Sequence, residues 1–135
     1  LCGGCEDFEG ILGSSVTRYL GLNISMSGFS EKNAQKLGYD TVSVILTKRD
    51  KASYMPEVDN VTLKLIADRR SHRILGAQAI GSSDADKKIN TISVGLTNRI
   101  TVENLLDVDL PYAPPFSTSE DILHSAARML KSKLS

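Results

Sequence analysis

The sequence has no excess of either charge: across 135 residues, sixteen Lys and Arg are balanced by sixteen Asp and Glu. A chain without a net field does not draw in nucleic acid or an anionic membrane by bulk electrostatics, so neither is expected as a partner. It lacks any apolar run near the roughly 20 residues that a membrane helix needs. Cysteine is scarce, and Cys2 and Cys5 both fall in the first five residues. That leaves no disulfide framework and predicts a cytoplasmic protein. The two histidines, His72 and His124, are far from each other and from the cysteines, so no metal site is expected. Also absent are the Gly-x-Gly-x-x-Gly, Walker and Gly-x-Ser-x-Gly motifs, which excludes a phosphate cradle or nucleophile elbow of the usual kind.

What is there suits an ordinary globule, with 41% hydrophobic and 24% charged residues in a length that fits one domain with a single core. The chain opens on Leu-Cys-Gly-Gly-Cys-Glu-Asp without an initiator Met, which predicts a cut end and a piece of something larger. Residues 1–7 are expected to be a disordered or linker terminus, and 8–135 the folded domain.

The alternation Val16, Arg18, Leu20, Leu22, Ile24, Met26 predicts one half-buried strand ending at Gly28. Ser30 and Glu31 then cap a short helix with Ala34 and Leu37 on one face and Gly38 as its stop. Val42, Val44 and Leu46 predict a second strand, closed by the charged run Lys48 to Lys51. The loop from Asp50 to Asp59 carries Tyr54, Met55 and Pro56, apolar residues that need a surface to sit on. Val61 to Asp68 and Ile74 to Ile80 read as an antiparallel hairpin around a polar link. Ser83 or Asp84 caps a helix whose apolar stripe is Ile89, Ile92, Leu96 and Ile100. Thr101 caps a shorter helix with Leu105 and Leu106. Ser117 and Glu120 stand in capping-box spacing ahead of Leu123, Ala126, Ala127 and Leu130. The class is α+β: a mostly antiparallel sheet of about four to five strands with helices packed on one face.

Two segments invite chemistry. Cys2-Gly3-Gly4-Cys5 has the spacing of a dithiol redox pair, which would make the chain a freestanding redox or small-ligand binding protein. An unstructured terminus is the better reading, since no strand precedes it and no helix follows. Pro111 to Ser117 places three prolines around Tyr112 and Phe116, a rigid stretch that can either present its aromatics at an interface or turn them into the core. His124 reads as a helix-flank residue. The acid pairs Asp84/Asp86, Asp107/Asp109 and Glu120/Asp121 fall at helix starts and caps, so no catalytic residue is expected.

The run from Asp68 to Gly81, followed by Val102-Glu103-Asn104-Leu105-Leu106 and Tyr112-Ala113-Pro114-Pro115-Phe116-Ser117, resembles the C-terminal dimerisation domain of the pyridine nucleotide-disulfide oxidoreductases. Within that family it is most similar to the group of coenzyme A-disulfide reductase, NADH oxidase and NADH peroxidase. The resemblance covers about Phe8 to Met129. It implies a homodimer in which Tyr112, Pro114, Pro115, Phe116 and Ser117 face the flavin side of the partner subunit, with Tyr54 and Tyr112 at the substrate. It also implies a parent enzyme using FAD and NAD(P)H, with neither cofactor held by this fragment, which is inactive alone. Pro114 and Pro115 stand where the glutathione-reductase branch carries His-Pro, so no histidine acid is implied here. An obligate homodimer commonly buries on the order of 2,000 Å² or more, which a twin would supply.

Overall fold

A computed structural model describes residues 10–135; the expected terminal linker 1–7 and the Cys2/Cys5 pair lie outside the described residues. The chain runs β1 (Ser15–Tyr19), β2 (Leu22–Gly28), α1 (Glu31–Lys36), β3 (Thr41–Arg49), β4 (Asn60–Asp68), β5 (Ile74–Gly81), α2 (Ala85–Thr97), α3 (Val102–Asp107) and α4 (Ile122–Leu134). The five strands form one antiparallel sheet in the order β1-β2-β5-β4-β3. The expected α+β class and the β4–β5 hairpin stand.

The alternation from Val16 to Met26 is two strands, not one. Leu20 and Gly21 both take positive φ, 48° and 80°, and make a two-residue turn whose twist matches a hairpin. The buried phase of β2 also differs from expectation: Ser25 and Ser27 face inward, while Leu22 and Ile24 are exposed. Small side chains are needed there because α2 lies directly over β2 and β5, and Ala77 and Ala79 continue the same low floor along β5. Ser25 also donates to the Ala85 carbonyl at 2.9 Å, tying strand to helix.

The main core lies between the sheet and helices α2, α3 and α4. It contains Val42, Val44, Val61, Leu63 and Leu65 from the strands, with Ile89, Ile92, Leu123 and Leu130 from the helices. Each such fully buried aliphatic side chain contributes roughly 1.5–3 kcal/mol. The short α1 sits at one end of the opposite face, where Ala34 meets Ile66 and Leu75 in a small second cluster. Ile66 faces this cluster by ordinary alternation along β4, whereas the register shift between Ile66 and Ala67 skips Leu75 on β5, turning Leu75 to the same side and returning Ile74 to the main core.

Three helix boundaries refine the sequence reading. Ser30 caps α1 as expected, accepting from the Asn33 N–H at 3.2 Å. At α2, Asp84 occupies the N-cap position without making a side-chain cap, because its carboxylate goes to Lys87 and the Ser83 hydroxyl to Asp50. Ile100 lies beyond the end of α2 and folds back onto Gly95. For α4 the cap is Asp121, not Ser117: Asp121 Oδ1 accepts from the Leu123 N–H at 2.9 Å, while the Ser117 N–H is already spent in a turn on the Ala113 carbonyl.

Candidate functional site

The sheet face turned away from α2, α3 and α4, which α1 covers at one end only, and the loops at one end of the sheet carry the exposed apolar side chains. On the open face, Tyr19, Leu22, Ile24, Ile45 and Ile80 are exposed. Ile24, Ile45 and Ile80, with their polar neighbours Thr62, Lys64 and Gln78, line part of a shallow groove of about 450 Å³. Contiguous exposed apolar surface of this kind marks an interaction surface.

At the loop end, the structure brings together two of the residues singled out from sequence. The Ala52 N–H donates to the Pro114 carbonyl at 3.1 Å, which joins the 50–59 loop to the proline-rich segment. Tyr54 and Tyr112 consequently line one cavity of about 370 Å³, with Arg49, Lys51 and Thr118 at its edge. Both rings remain open to solvent, 74% and 54% exposed. Phe116, 71% exposed, belongs to a different cavity of about 210 Å³ with Lys88, Leu110 and Pro111. Of the two possibilities for the aromatics, presentation at the surface is the one observed. Pro114 and Pro115 form the turn between them, and the Phe116 and Ser117 N–H groups both donate to the Ala113 carbonyl. Ser117 is buried, its hydroxyl directed at the Thr118 carbonyl and at Asp121.

Sequence reading missed the groups that hold these segments. Asp50, 3% exposed, accepts from the Asp59 N–H at 2.9 Å and from the Ser83 hydroxyl at 2.8 Å. Lys88 donates to Asp121 Oδ2 at 2.5 Å, a pair whose side chains are 13% and 9% exposed. The signal for Lys88 was available: it falls between Ala85 and Ile92 on the inward stripe of α2, where a charge demands a buried partner.

The remaining titratable groups do structural work. The Lys64 ammonium and the Ser43 hydroxyl hold the Glu31 carboxyl below its ordinary value and pin α1 to the sheet. His72 is bonded to Glu103 at 2.9 Å, and that bond lowers the Glu103 carboxyl. His124 donates from Nε2 to the Val108 carbonyl at 2.9 Å, which fixes α4 against the end of α3. Among the described residues, no cluster of three or more His, Cys, Asp or Glu is placed to hold a metal ion. No described helix is long and apolar enough to cross a membrane.

Residues 14–122 match the family model described as the pyridine nucleotide-disulphide oxidoreductase dimerisation domain. The chain is 34% identical over 125 residues to a CoA-dependent NAD(P)H sulfur oxidoreductase of Pyrococcus furiosus, covering 93% of this chain and 28% of that protein. Its fold is similar to that of an NAD-dependent persulfide reductase from A. fulgidus, with a TM-score of 0.91 and 30% identity, covering 97% of this chain and 24% of the other. It is also similar to a water-forming NADH oxidase from Lactobacillus brevis, with a TM-score of 0.88 and 27% identity, covering 93% and 28% of the two chains. The chain thus spans about a quarter of the length of the proteins it matches.

Proposed function

Because the chain belongs to the pyridine nucleotide-disulphide oxidoreductase dimerisation-domain family, we propose that residues 8–135 are the homodimerisation module of an FAD- and NAD(P)H-dependent disulfide reductase or NADH oxidase. The module is inactive alone and works with the FAD and NAD domains of its parent enzyme. One observation carries the reading: Tyr54 and Tyr112 are drawn to one cavity by a backbone hydrogen bond and yet left mostly exposed, as half of a site would be. The uncovered apolar sheet face supports it, since such a surface belongs in an assembly.

The residues suit one wall of a flavin and substrate cavity and not a complete cofactor site. Binding pockets enclose about 70–90% of a ligand, and a segment with Tyr112 and Phe116 more than half exposed encloses nothing unaided. FAD, bound by the parent's other domains, supplies the relay of electrons from NAD(P)H to a sulfur or oxygen acceptor. Pro114, Pro115, Phe116 and Ser117 line the flavin side in the partner subunit and exclude water there. Tyr112 and Tyr54 face the substrate from the adjoining cavity, where a phenol O–H donates a hydrogen bond to sulfur or oxygen and orients it. With prolines at 114 and 115, this segment contributes a wall and hydrogen-bond donors, not a proton-shuttling imidazole.

Light scattering over a range of concentrations tests the assembly: the expected mass is near twice 14.6 kDa, and a strict monomer at high concentration overturns homodimerisation by this chain. With the chain joined to FAD and NAD(P)H domains, Tyr112→Phe and Tyr54→Phe are each expected to lower kcat/KM for a disulfide or persulfide about tenfold, the loss of one hydrogen bond to the substrate. Unchanged kinetics in both variants would remove the two tyrosines from the site.

A further inference from the structure

We infer that the start of α2 is a common anchor that locks the Tyr54 loop and the Tyr112 segment into one unit, with Asp50, Ser83, Lys88 and Asp121 as positioning residues for the two tyrosines. The inference rests on the proposed role of those tyrosines and goes beyond it in naming what sets their geometry.

The hydrogen bonds close a ring. From the entry to α2, the Ser83 hydroxyl reaches the buried Asp50 at 2.8 Å, and Asp50 reaches across its own loop to the Asp59 N–H at 2.9 Å. The Ser82 hydroxyl donates to the Asp59 carboxylate, so the same link clamps the loop at both ends. Within the loop, the Ala52 N–H bonds the Pro114 carbonyl at 3.1 Å and passes the connection to the proline-rich segment. That segment returns through the Ser117 hydroxyl to Asp121 Oδ2 at 3.3 Å, and Asp121 closes the circuit on Lys88 of α2 at 2.5 Å.

Several features argue that the ring positions and does not merely fill space. Asp50 and Asp121 are buried carboxylates, costly to desolvate, and each is satisfied by partners from separate segments. The neighbouring pair Lys87 and Asp84 joins the first turn of α2 to its own N-cap residue, with Lys87 largely exposed, and links no separate segments. A loop bearing a functional side chain is otherwise mobile, and proline limits its conformations without attaching it. The ring supplies the attachment for both loops at once, so a disturbance on either side is felt on the other.

Residue-resolved amide exchange and tyrosine-ring relaxation of the 135-residue chain test this. Lys88→Met breaks the ring on the segment side and is expected to speed exchange of the Ala52 and Asp59 amides about tenfold. It is also expected to loosen the rings of both Tyr54 and Tyr112 while Tyr19 and Tyr39 keep their order. Ser83→Ala, a mild change at an exposed position, breaks the opposite side and is expected to speed exchange at Ser117 by a similar factor. Lys88→Arg restores the cation and is expected to restore protection. The core amides of Leu63 and Ala79 stay within about twofold in all three variants. Effects confined to the mutated side, or spread uniformly through the core, overturn the inference. Each variant is compared with the parent chain at one concentration and one measured mass, so a monomer by light scattering leaves the anchor standing, and a failed anchor leaves the dimer standing.

Discussion

Gly76 occupies a point where two backbones leave no room for a side chain. A methyl group there would lie 2.2 Å from the Phe29 carbonyl oxygen and 2.7 Å from its nitrogen, against main chain that cannot swing away. The approach is tight because the Phe29 N–H donates to the Leu75 carbonyl at 2.9 Å, which brings the start of α1 onto β5. Gly76→Ala is therefore expected to destabilise the chain by about 3 kcal/mol, read as a lowered urea midpoint with an unchanged m value. At this scale the sequence was informative where a residue type has few uses. Tyr54 and Tyr112 stood out because aromatics are rare in this chain. Asp50 did not stand out, because in a run of charged residues nothing marks the one carboxylate that turns inward to meet Ser83.

At the scale of the element, α3 is the clearest case of local sequence deciding local structure. Thr101 Oγ1 accepts from the Asn104 N–H at 3.2 Å, and Asn104 Oδ1 accepts from the Thr101 N–H at 3.0 Å, a reciprocal cap on a helix only six residues long. So short a helix has little stability of its own, and Thr101→Ala is expected to cost about 1 kcal/mol in thermal or urea unfolding. The β4–β5 hairpin was equally legible, since alternation and a polar link leave one pairing. The β1–β2 turn was not, because the residue entering it is Leu20, whose type gives no sign of a φ of 48°. The start of α4 was misplaced for a related reason: Ser117 has the side chain of a cap, but its position in a turn after Pro115 withholds the backbone geometry. Capping spacings recognise candidates, and the competition for N–H groups decides among them.

The whole molecule is held at its margins by carboxylates whose charged form is favoured by folding. Glu31 is lowered chiefly by Lys64, Glu103 by His72 and Glu120 by Arg128. For Asp68, burial pushes upward, and the Ser71 and backbone hydrogen bonds overcome it to lower the carboxyl. A lowered folded value means that the unfolded chain binds protons first as pH falls. The stability from these groups is therefore present above their ordinary values of 4.5 and 3.8 and is lost as pH drops through the folded values. Melting temperature is expected to be level from pH 7 to about 5 and to fall steeply below about 4, and Glu31→Gln is expected to flatten that fall. Topology was legible at this scale as a class, a sheet with a helical cover. Which apolar phase of β2 would be left uncovered was not, because that depends on α2 coming close enough to require serines beneath it.

Among the described residues, strand β1 is exposed on both faces and hydrogen-bonded along one side only. Its outer row of N–H and C=O groups is a template for any extended chain that meets it, and the route from such an edge leads to fibrils. Arg18 is the single charge in the strand and so its one gatekeeper against that growth. Colloidal behaviour in concentrated solution is thus set less by the well-packed centre of the domain than by five residues at its rim.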